Sequence, residues 1–187
     1  MRVTETEIPG LLIIEPRIFD DPRGYFFESY REELYRSFGI TASFVQDNES
    51  KSIKGVVRGL HYQLEPYAQS KLVRVVCGRV YDVAVDLRKG SPSFGRWFGV
   101  ILDDIGKKQL FIPKGFAHGF SVLSETAVFS YKCDNVYNGN SERAVNINDP
   151  DLGINWMTGS EKPVVSDKDL SAPMLADAEM NFIFTRV

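Results

Sequence analysis

The chain has 187 residues, of which 43% are hydrophobic and 25% charged, and its 22 basic and 25 acidic side chains leave a net charge of −3. This size and composition are typical of one globular domain with a sizeable core, so we expect a single domain over residues 1–187. The charge gives no indication of a strongly basic surface, so we expect no nucleic-acid partner. No segment approaches membrane-spanning length and the N-terminus lacks a long apolar stretch, which predicts a cytoplasmic protein without a membrane partner.

The two cysteines, Cys77 and Cys133, are too few for a disulfide framework. Each lies in an apolar, strand-like run, so both are predicted to be buried thiols. Free thiols of this kind are typical of a reducing compartment.

The first forty residues predict an edge strand, a turn and one helix. Leu11 to Phe19 is an apolar run interrupted by a proline, as an edge strand tolerates, and Asp20 to Gly24 has turn composition. The helix is predicted to begin at Ser29, which forms a capping-box pattern with Glu32, and to end at Gly39. It is the only helix that the pattern indicates.

The rest of the chain reads as short β segments separated by glycine, proline and acidic turns. The clearest of these segments are a strand ending at Gln63, a loop over Leu64–Ser70, a strand over Lys71–Cys77 and a strand over Arg79–Leu87. Strands at this spacing indicate an all-β sandwich or small barrel. The tail beyond Pro150 has few strand signals and is predicted to wrap around the barrel.

One of only two histidines lies in this strand-rich region. Alternation along the strand puts His61 and Gln63 on one face, and Lys71 begins the following strand. A cavity between these strands would hold an imidazole and an ammonium group close together. The alternative is that His61 is an ordinary structural histidine, which is the commoner case for a lone residue.

The other histidine, His118, lies in the run from Pro113 to Gly119, which resembles the Pro-x-Gly-x-x-His motif of the cupin superfamily. Metal-binding cupins supply His-x-His from an earlier strand, whereas this chain has His61-Tyr62-Gln63 there. A first-row metal usually takes about three nitrogen or carboxylate ligands from the protein. We therefore expect neither a metal nor another cofactor.

Two carboxylates could also carry chemistry. Asp82 and Asp86 fall on one face of the strand that begins at Arg79, where paired acids could transfer protons. The simpler interpretation is a solvated face, or a partnership with Arg74 or Arg88.

Several longer motifs resemble one family, the dTDP-4-dehydrorhamnose 3,5-epimerases. They are Asp21-Pro22-Arg23-Gly24-Tyr25-Phe26-Phe27-Glu28, Val45-Gln46-Asp47-Asn48, Val57-Arg58-Gly59-Leu60-His61-Tyr62-Gln63, Ala68-Gln69-Ser70-Lys71-Leu72-Val73-Arg74, Asp82-Val83-Ala84-Val85-Asp86-Leu87-Arg88, Ile112-Pro113-Lys114-Gly115-Phe116-Ala117-His118-Gly119-Phe120, Tyr131-Lys132-Cys133 and Asn148-Asp149-Pro150. The resemblance covers most of the chain in the right order. It implies a metal-free cupin jelly roll (a double-stranded β-helix with a few short peripheral helices) that forms a homodimer.

The resemblance also implies roles for single residues. His61 would be the base, Tyr131 the proton donor, Asp169 the partner that orients the base, and Lys71 the cation beside the keto oxygen of the sugar. Besides Lys71, the residues implied to contact the nucleotide sugar are Arg23, Glu28, Gln46, Asn48, Arg58, His118, Glu142 and Lys168. Val136 precedes Tyr137 where some relatives carry an aromatic residue that stacks on thymine.

The implied reaction suits these side chains. The substrate, dTDP-4-dehydro-6-deoxy-D-glucose, has a ketone flanked by C3 and C5, whose protons are acidic because the charge spreads onto the keto oxygen. Inverting both centres requires a base, an acid and a donor for the oxyanion, but no redox cofactor. The product would be dTDP-4-dehydro-β-L-rhamnose, on the way to dTDP-L-rhamnose.

Three alternatives stay open from the sequence. An epimerase that inverts only C3 or only C5 would take up one deuteron from solvent instead of two. A metal-dependent cupin oxygenase or isomerase would contain stoichiometric metal, and a sugar-nucleotide binding module would show no exchange.

The position of Arg58 also stays open. Strict alternation puts its side chain on the strand face opposite His61, so either Gly59 bulges the strand or Arg58 belongs to the preceding turn.

Overall fold

Strands dominate the computed structural model, which describes residues 1–159 and 162–185. In chain order they are β1 (Arg2–Glu5), β2 (Leu12–Glu15), β3 (Ile18–Asp21), β4 (Gly24–Phe27), β5 (Gln46–Ile53), β6 (Val57–Gln63), β7 (Lys71–Cys77), β8 (Arg79–Asp86), β9 (Trp97–Asp103), β10 (Gln109–Ile112), β11 (Phe116–Val122), β12 (Thr126–Cys133) and β13 (Glu142–Ala144). The helices are α1 (Glu32–Arg36), α2 (Asp167–Leu170) and a 3₁₀ turn at Leu175–Asp177.

Two antiparallel sheets form the body of the fold. The six-stranded sheet has the order β1-β2-β10-β7-β12-β5, and the five-stranded sheet has the order β13-β6-β11-β8-β9. Their inner faces share one core, which joins Val73 and Val75 of β7 to Val80 and Ala84 of β8 and to Phe120 of β11. This arrangement confirms the predicted all-β jelly roll.

The strands around the first histidine are where the sequence pattern predicts them. β6 ends at Gln63, β7 spans Lys71–Cys77, and β8 ends at Asp86, one residue before the predicted end. The edge strand predicted over Leu11–Phe19 is instead two strands, with a break between them at Pro16 and Arg17. β2 joins the six-stranded sheet, whereas β3 pairs only with β4 in a separate hairpin.

The predicted capping box is wrong. α1 has Arg31 at its N-cap, without a side-chain cap. The carbonyl of Ser29 instead accepts hydrogen bonds from Tyr35 Oη (3.0 Å) and Gln109 Nε2 (2.8 Å). These partly buried bonds keep Ser29 out of the helix, which begins after Arg31. Gly39, with φ +84°, lies two residues beyond the C-cap Ser37, one residue further from the helix than the predicted C′ position.

The bulge at Gly59 resolves the position of Arg58. The φ of Gly59 is +143°, and a Cβ there would lie 2.7 Å from the backbone of β11, so only glycine fits. The register of β6 against β11 shifts at this point, pairing His61 with His118 and Arg58 with Phe120. Arg58 therefore belongs to the strand.

The structure confirms the predicted burial of one cysteine but not of the other. Cys133 is buried as predicted, but Cys77 is exposed because it ends β7 at a turn. The tail packs Trp156 and Phe182 into a second apolar cluster with Val83 of β8, so it covers the outer face of the five-stranded sheet. Among the described residues, none of the helices has the length and apolar character needed to cross a membrane.

Candidate active site

A cleft of about 310 Å³ opens where the two sheets meet. Six of the predicted site residues line it: Gln46, Asn48, His61, Lys71, Tyr131 and Glu142. Its volume lies at the lower end of the range of small-molecule sites. As predicted, the imidazole and the ammonium group share one cavity. Gln63, Gln69 and Tyr137 also line it, and these were not predicted.

His61 is bonded to a carboxylate from the far end of the chain. Its Nε2 donates to Asp169 Oδ1 at 2.7 Å. The other oxygen of Asp169 accepts from Gly59 N at 3.4 Å, and the Asp169 amide is capped by Ser166 Oγ. Burial raises the pKa of Asp169, but the bonds from His61 and Gly59 outweigh it and the pKa is lowered. With its proton on Nε2, the imidazole keeps the Nδ1 lone pair as its basic site.

Asp169 lies in the short helix α2. Ser166 caps that helix, and its spacing to Asp169 is a local signal that could have revealed the turn. Nothing local joins Asp169 to His61, because 108 residues separate them.

Lys71 begins β7 and reaches the cleft from the sheet opposite His61. Burial lowers its pKa, and electrostatic interactions with Cys133, Asp82 and Glu142 oppose that shift. Its Nζ lies 5.9 Å from the ring centroid of Tyr131. Lys71 makes no hydrogen bond or ion pair with the described residues, so its ammonium group is available to a ligand.

Tyr131 lies on β12, next to β7 in the same sheet. Burial raises its pKa, Cys133 and Glu142 add to the shift, and the guanidinium of Arg58 opposes it. The phenol therefore stays protonated at neutral pH and can donate a proton.

A second polar group borders the cleft. Glu142 Oε2 accepts from Lys168 Nζ at 2.6 Å and from Tyr137 Oη at 2.9 Å. Burial raises the pKa of Glu142, but these two bonds outweigh it and lower the pKa. The Tyr137 amide also donates to Gln46 Oε1. The aromatic side chain missing at Val136 is thus present one residue later, and its ring is largely exposed.

Two predicted residues, Arg58 and His118, are not among the residues that line the cleft, although Arg58 is itself exposed. Arg58 Nε donates to Ser52 Oγ at 3.0 Å. His118 is buried and bonded through Nε2 to Asp82 Oδ2 at 2.9 Å. The solvated face proposed for Asp82 is therefore wrong. Asp86 is also buried, and its partnership with Arg88 is confirmed by a 2.7 Å ion pair.

Arg23 and Glu28 do not line the cleft. Arg23 lies at the tip of the β3–β4 hairpin and pairs with Asp21, whereas Glu28 pairs with Arg31. Both side chains are largely exposed. Within a single chain, Arg23 and Glu28 therefore lie outside the cleft that contains His61.

A larger groove of about 1140 Å³ lies between N-terminal residues and the C-terminal tail, but neither histidine lines it. Within residues 1–159 and 162–185, no cluster of three or more His, Cys, Asp or Glu side chains has the geometry to hold a metal ion. The titratable groups suited to proton transfer converge on the smaller cleft.

Comparison with known proteins agrees with this chemistry. The family model described as dTDP-4-dehydrorhamnose 3,5-epimerase matches residues 5–177. A dTDP-4-dehydrorhamnose 3,5-epimerase from Shigella flexneri is 53% identical over 180 residues, which cover 96% of this chain and 98% of the relative.

Two solved structures are similar. A dTDP-6-deoxy-D-glucose-3,5-epimerase from Legionella pneumophila, in complex with dTDP-4-keto-L-rhamnose, has a TM-score of 0.90 and 52% identity, covering 94% of this chain and 93% of its own. A 3′-monoepimerase from Streptomyces bikiniensis, in complex with dTDP-quinovose, has a TM-score of 0.86 and 38% identity, covering 91% and 86%. Together with the family model and the cleft, these similarities establish that the chain belongs to the dTDP-4-dehydrorhamnose 3,5-epimerase family of isomerases.

Proposed function

We propose that the chain, acting as one catalytic domain over residues 1–187, inverts C3 and C5 of dTDP-4-dehydro-6-deoxy-D-glucose to give dTDP-4-dehydro-β-L-rhamnose. The observation that carries this proposal is the convergence of His61, Lys71 and Tyr131 on one cleft, with Asp169 bonded to the histidine. A base, an oxyanion partner and an acid are the three groups that the reaction requires.

The base removes the proton next to the ketone. His61 accepts it on Nδ1, because the hydrogen bond from Nε2 to Asp169 holds the ring in the required tautomer. The carboxylate then stabilises the imidazolium that forms. One histidine acts in turn at C3 and C5, since both positions flank the same carbonyl group.

The negative charge that leaves C3 or C5 collects on the keto oxygen. Lys71 stabilises this charge through its ammonium group, which forms no ion pair with any described side chain. In a cleft with little water this charge interaction is much stronger than in bulk solvent.

Inversion requires that the proton return to the opposite face of the ring. Tyr131 supplies it, since its raised pKa keeps the phenol protonated until the enolate forms. His61 and Tyr131 lie on strands of opposite sheets, so a sugar ring between the sheets would present one face to each.

The remaining predicted residues bind the nucleotide. Gln46, Asn48 and Glu142 offer hydrogen bonds at the cleft, and the exposed ring of Tyr137 offers a flat surface to the base. Arg58 and Lys168 support this side of the site and contribute positive charge toward the diphosphate, whereas His118 is buried and bonded to Asp82, so we assign it no contact with the sugar.

Arg23 and Glu28 fit this proposal in a homodimer. The β3–β4 hairpin exposes Phe19, Tyr25 and Phe26, and it pairs with neither sheet. An exposed aromatic hairpin is suited to burial against a second copy. We propose that each hairpin lies across the cleft of its partner, so that Arg23 reaches the diphosphate there.

Subunit exchange tests this arrangement. Inactive His61→Asn and Arg23→Ala homodimers are mixed and allowed to exchange. If Arg23 acts in the partner's cleft, each mixed dimer has one intact site, and activity recovers to about a quarter of the native value for random pairing. If Arg23 acts within its own chain, no site is intact and activity stays at background. A monomer by light scattering would also contradict the proposal.

The reaction itself is tested in deuterated water with the dTDP-keto sugar as substrate. We expect deuterium at both C3 and C5 in the nuclear magnetic resonance spectrum of the product. Label at one position alone would indicate a single-centre epimerase like the Streptomyces relative, and binding without exchange would indicate a binding module.

We also propose a cytoplasmic location without nucleic-acid or membrane partners, which cell fractionation checks.

A further inference from the structure

The proposed mechanism gives no role to one buried histidine–aspartate pair, His118 and Asp82. Asp82 is fully buried and His118 is 7% exposed, and their bond occupies only one carboxylate oxygen. The other, Asp82 Oδ1, is buried without a hydrogen-bond partner among the described residues. A buried carboxylate oxygen without a hydrogen-bond partner is costly, so a compensating positive charge is expected nearby.

Strand alternation places this carboxylate and Lys71 in the same interior. Asp82 lies between Val80 and Ala84 on β8, and both of these side chains belong to the core between the sheets. Lys71 lies two residues before Val73, which belongs to the same core. Asp82 and Lys71 therefore project into the interior from opposite sheets.

The other titratable groups that face Lys71 cannot supply a free negative charge. His61 of β6 shares the cleft with Lys71 but carries no negative charge in either protonation state. The others come from three strands: Cys133 and Tyr131 of β12, His118 of β11 and Glu142 of β13. Burial raises the pKa of Cys133 to about 11 and also raises that of Tyr131, so both are neutral near pH 7.

The last two are excluded for different reasons. Burial lowers the pKa of His118, which leaves the imidazole neutral at pH 7. Glu142 is negative but is already paired with Lys168 at 2.6 Å. Asp82 is the remaining carboxylate, and within the described part of the chain it alone has a buried side-chain oxygen without a hydrogen-bond partner.

We propose that Asp82 is a positioning residue for Lys71, the buried counter-charge that keeps its ammonium group protonated and directed at the keto oxygen of the sugar. Asp82 does not line the cleft, so it acts through Lys71 and not on the substrate. His118 holds the carboxylate by its other oxygen and fixes its orientation. This inference rests on the proposed function for the role of Lys71, but the pairing of the two charges can be tested without substrate.

The first test titrates Lys71 in the substrate-free protein. The rate at which acetic anhydride acetylates Lys71 is followed against pH by mass spectrometry. An opposite charge nearby raises the pKa of a lysine by roughly 1–3 units, so Asp82→Asn should move the midpoint down by about that amount. Asp47→Asn is the matched control, because Asp47 is an exposed carboxylate paired with Lys132. An unchanged midpoint in Asp82→Asn would overturn the proposal.

A double-mutant cycle on the free energy of unfolding keeps the test decisive if Asp82→Asn is strongly destabilised. The cost of Asp82→Asn in free energy of unfolding is measured in the native chain and in Lys71→Met. If the two charges stabilise each other, the cost is smaller in Lys71→Met, where the carboxylate has already lost its partner. Equal costs would contradict the pairing.

The pH profile of activity links the pair to catalysis. The ratio of native to Asp82→Asn kcat should grow with pH, by about tenfold between pH 7 and 9, as Lys71 loses its proton earlier in the variant. In Lys71→Arg, whose guanidinium stays charged, Asp82→Asn should leave the shape of the profile unchanged. A loss of kcat that is the same at every pH would indicate a structural role only. A shifted Lys71 midpoint without any deuterium exchange would overturn the proposed epimerase function and leave the charge pairing intact.

Discussion

Two histidine–aspartate pairs lie side by side in this fold, and they differ in their access to the cleft. His61 and His118 occupy directly opposed positions on β6 and β11. Their bonds to carboxylate are nearly equal, 2.7 Å to Asp169 and 2.9 Å to Asp82. The side chain of His61 is 33% exposed, however, whereas that of His118 is 7% exposed.

The difference shows how position decides the use of the same chemical pair. A histidine at the cleft wall can take a proton from a ligand and return it to solvent. A histidine in the interior has its pKa lowered by burial and stays neutral, so it serves as a hydrogen-bond donor that orients a carboxylate. Four variants sharpen this contrast.

The largest effect is expected from His61→Asn. Deuterium exchange at C3 and C5 should fall together, by roughly 10²–10⁴-fold or to background, because one base serves both positions. Nuclear magnetic resonance of the sugar in deuterated water measures both rates, and circular dichroism checks the fold. His118→Asn is the comparison variant and should retain far more exchange. Near-normal exchange in His61→Asn would remove His61 from the mechanism.

Lys71→Met removes the cation and keeps most of the side-chain volume. The loss should be about 3 kcal/mol of transition-state stabilisation, or roughly 10²–10³ in rate. It should appear in kcat more than in KM, since the negative charge develops only as the proton leaves. Steady-state kinetics decide the point, and a defect confined to KM would mean that Lys71 grips the substrate instead.

Tyr131→Phe deletes one oxygen atom and separates proton removal from inversion. His61 can still abstract a proton and return a deuteron to the same face, so exchange should persist. Net inversion should fall much further, because the donor on the opposite face is missing. The ratio of the two rates is the measurement, and an equal decrease in both would show that Tyr131 only positions the substrate.

Asp169→Asn should have the smallest effect on turnover, because the base remains but is less well oriented. Its effect on stability should depend on pH. The pKa of Asp169 is lowered below 3.8 in the folded protein, so its contribution is fully present above that pH and is lost as the pH falls through the folded value. Urea unfolding at pH 7 and near pH 3 should therefore show a smaller difference between native and variant at the acid pH. A difference that grew on acidification would contradict this assignment.

Much of the fold follows from local pattern. Turn residues and alternation bound β6, β7 and β8 to within one residue, since strand ends and side-chain facing depend on neighbouring positions. The capping box at Ser29 failed because a distant residue, Gln109, uses the Ser29 carbonyl. A local signal is overridden when tertiary hydrogen bonds take the same atoms.

The sequence by itself determined the all-β class, the family and the proximity of His61 to Lys71, which only a short loop separates. Only the tertiary structure decided which carboxylate each histidine receives. Asp169 reaches His61 because the tail folds back over the sheet, and Asp82 reaches His118 because β8 pairs with β11. Contacts between distant segments depend on strand register and on the path of the tail, and neither is encoded in the period or spacing of the residues concerned.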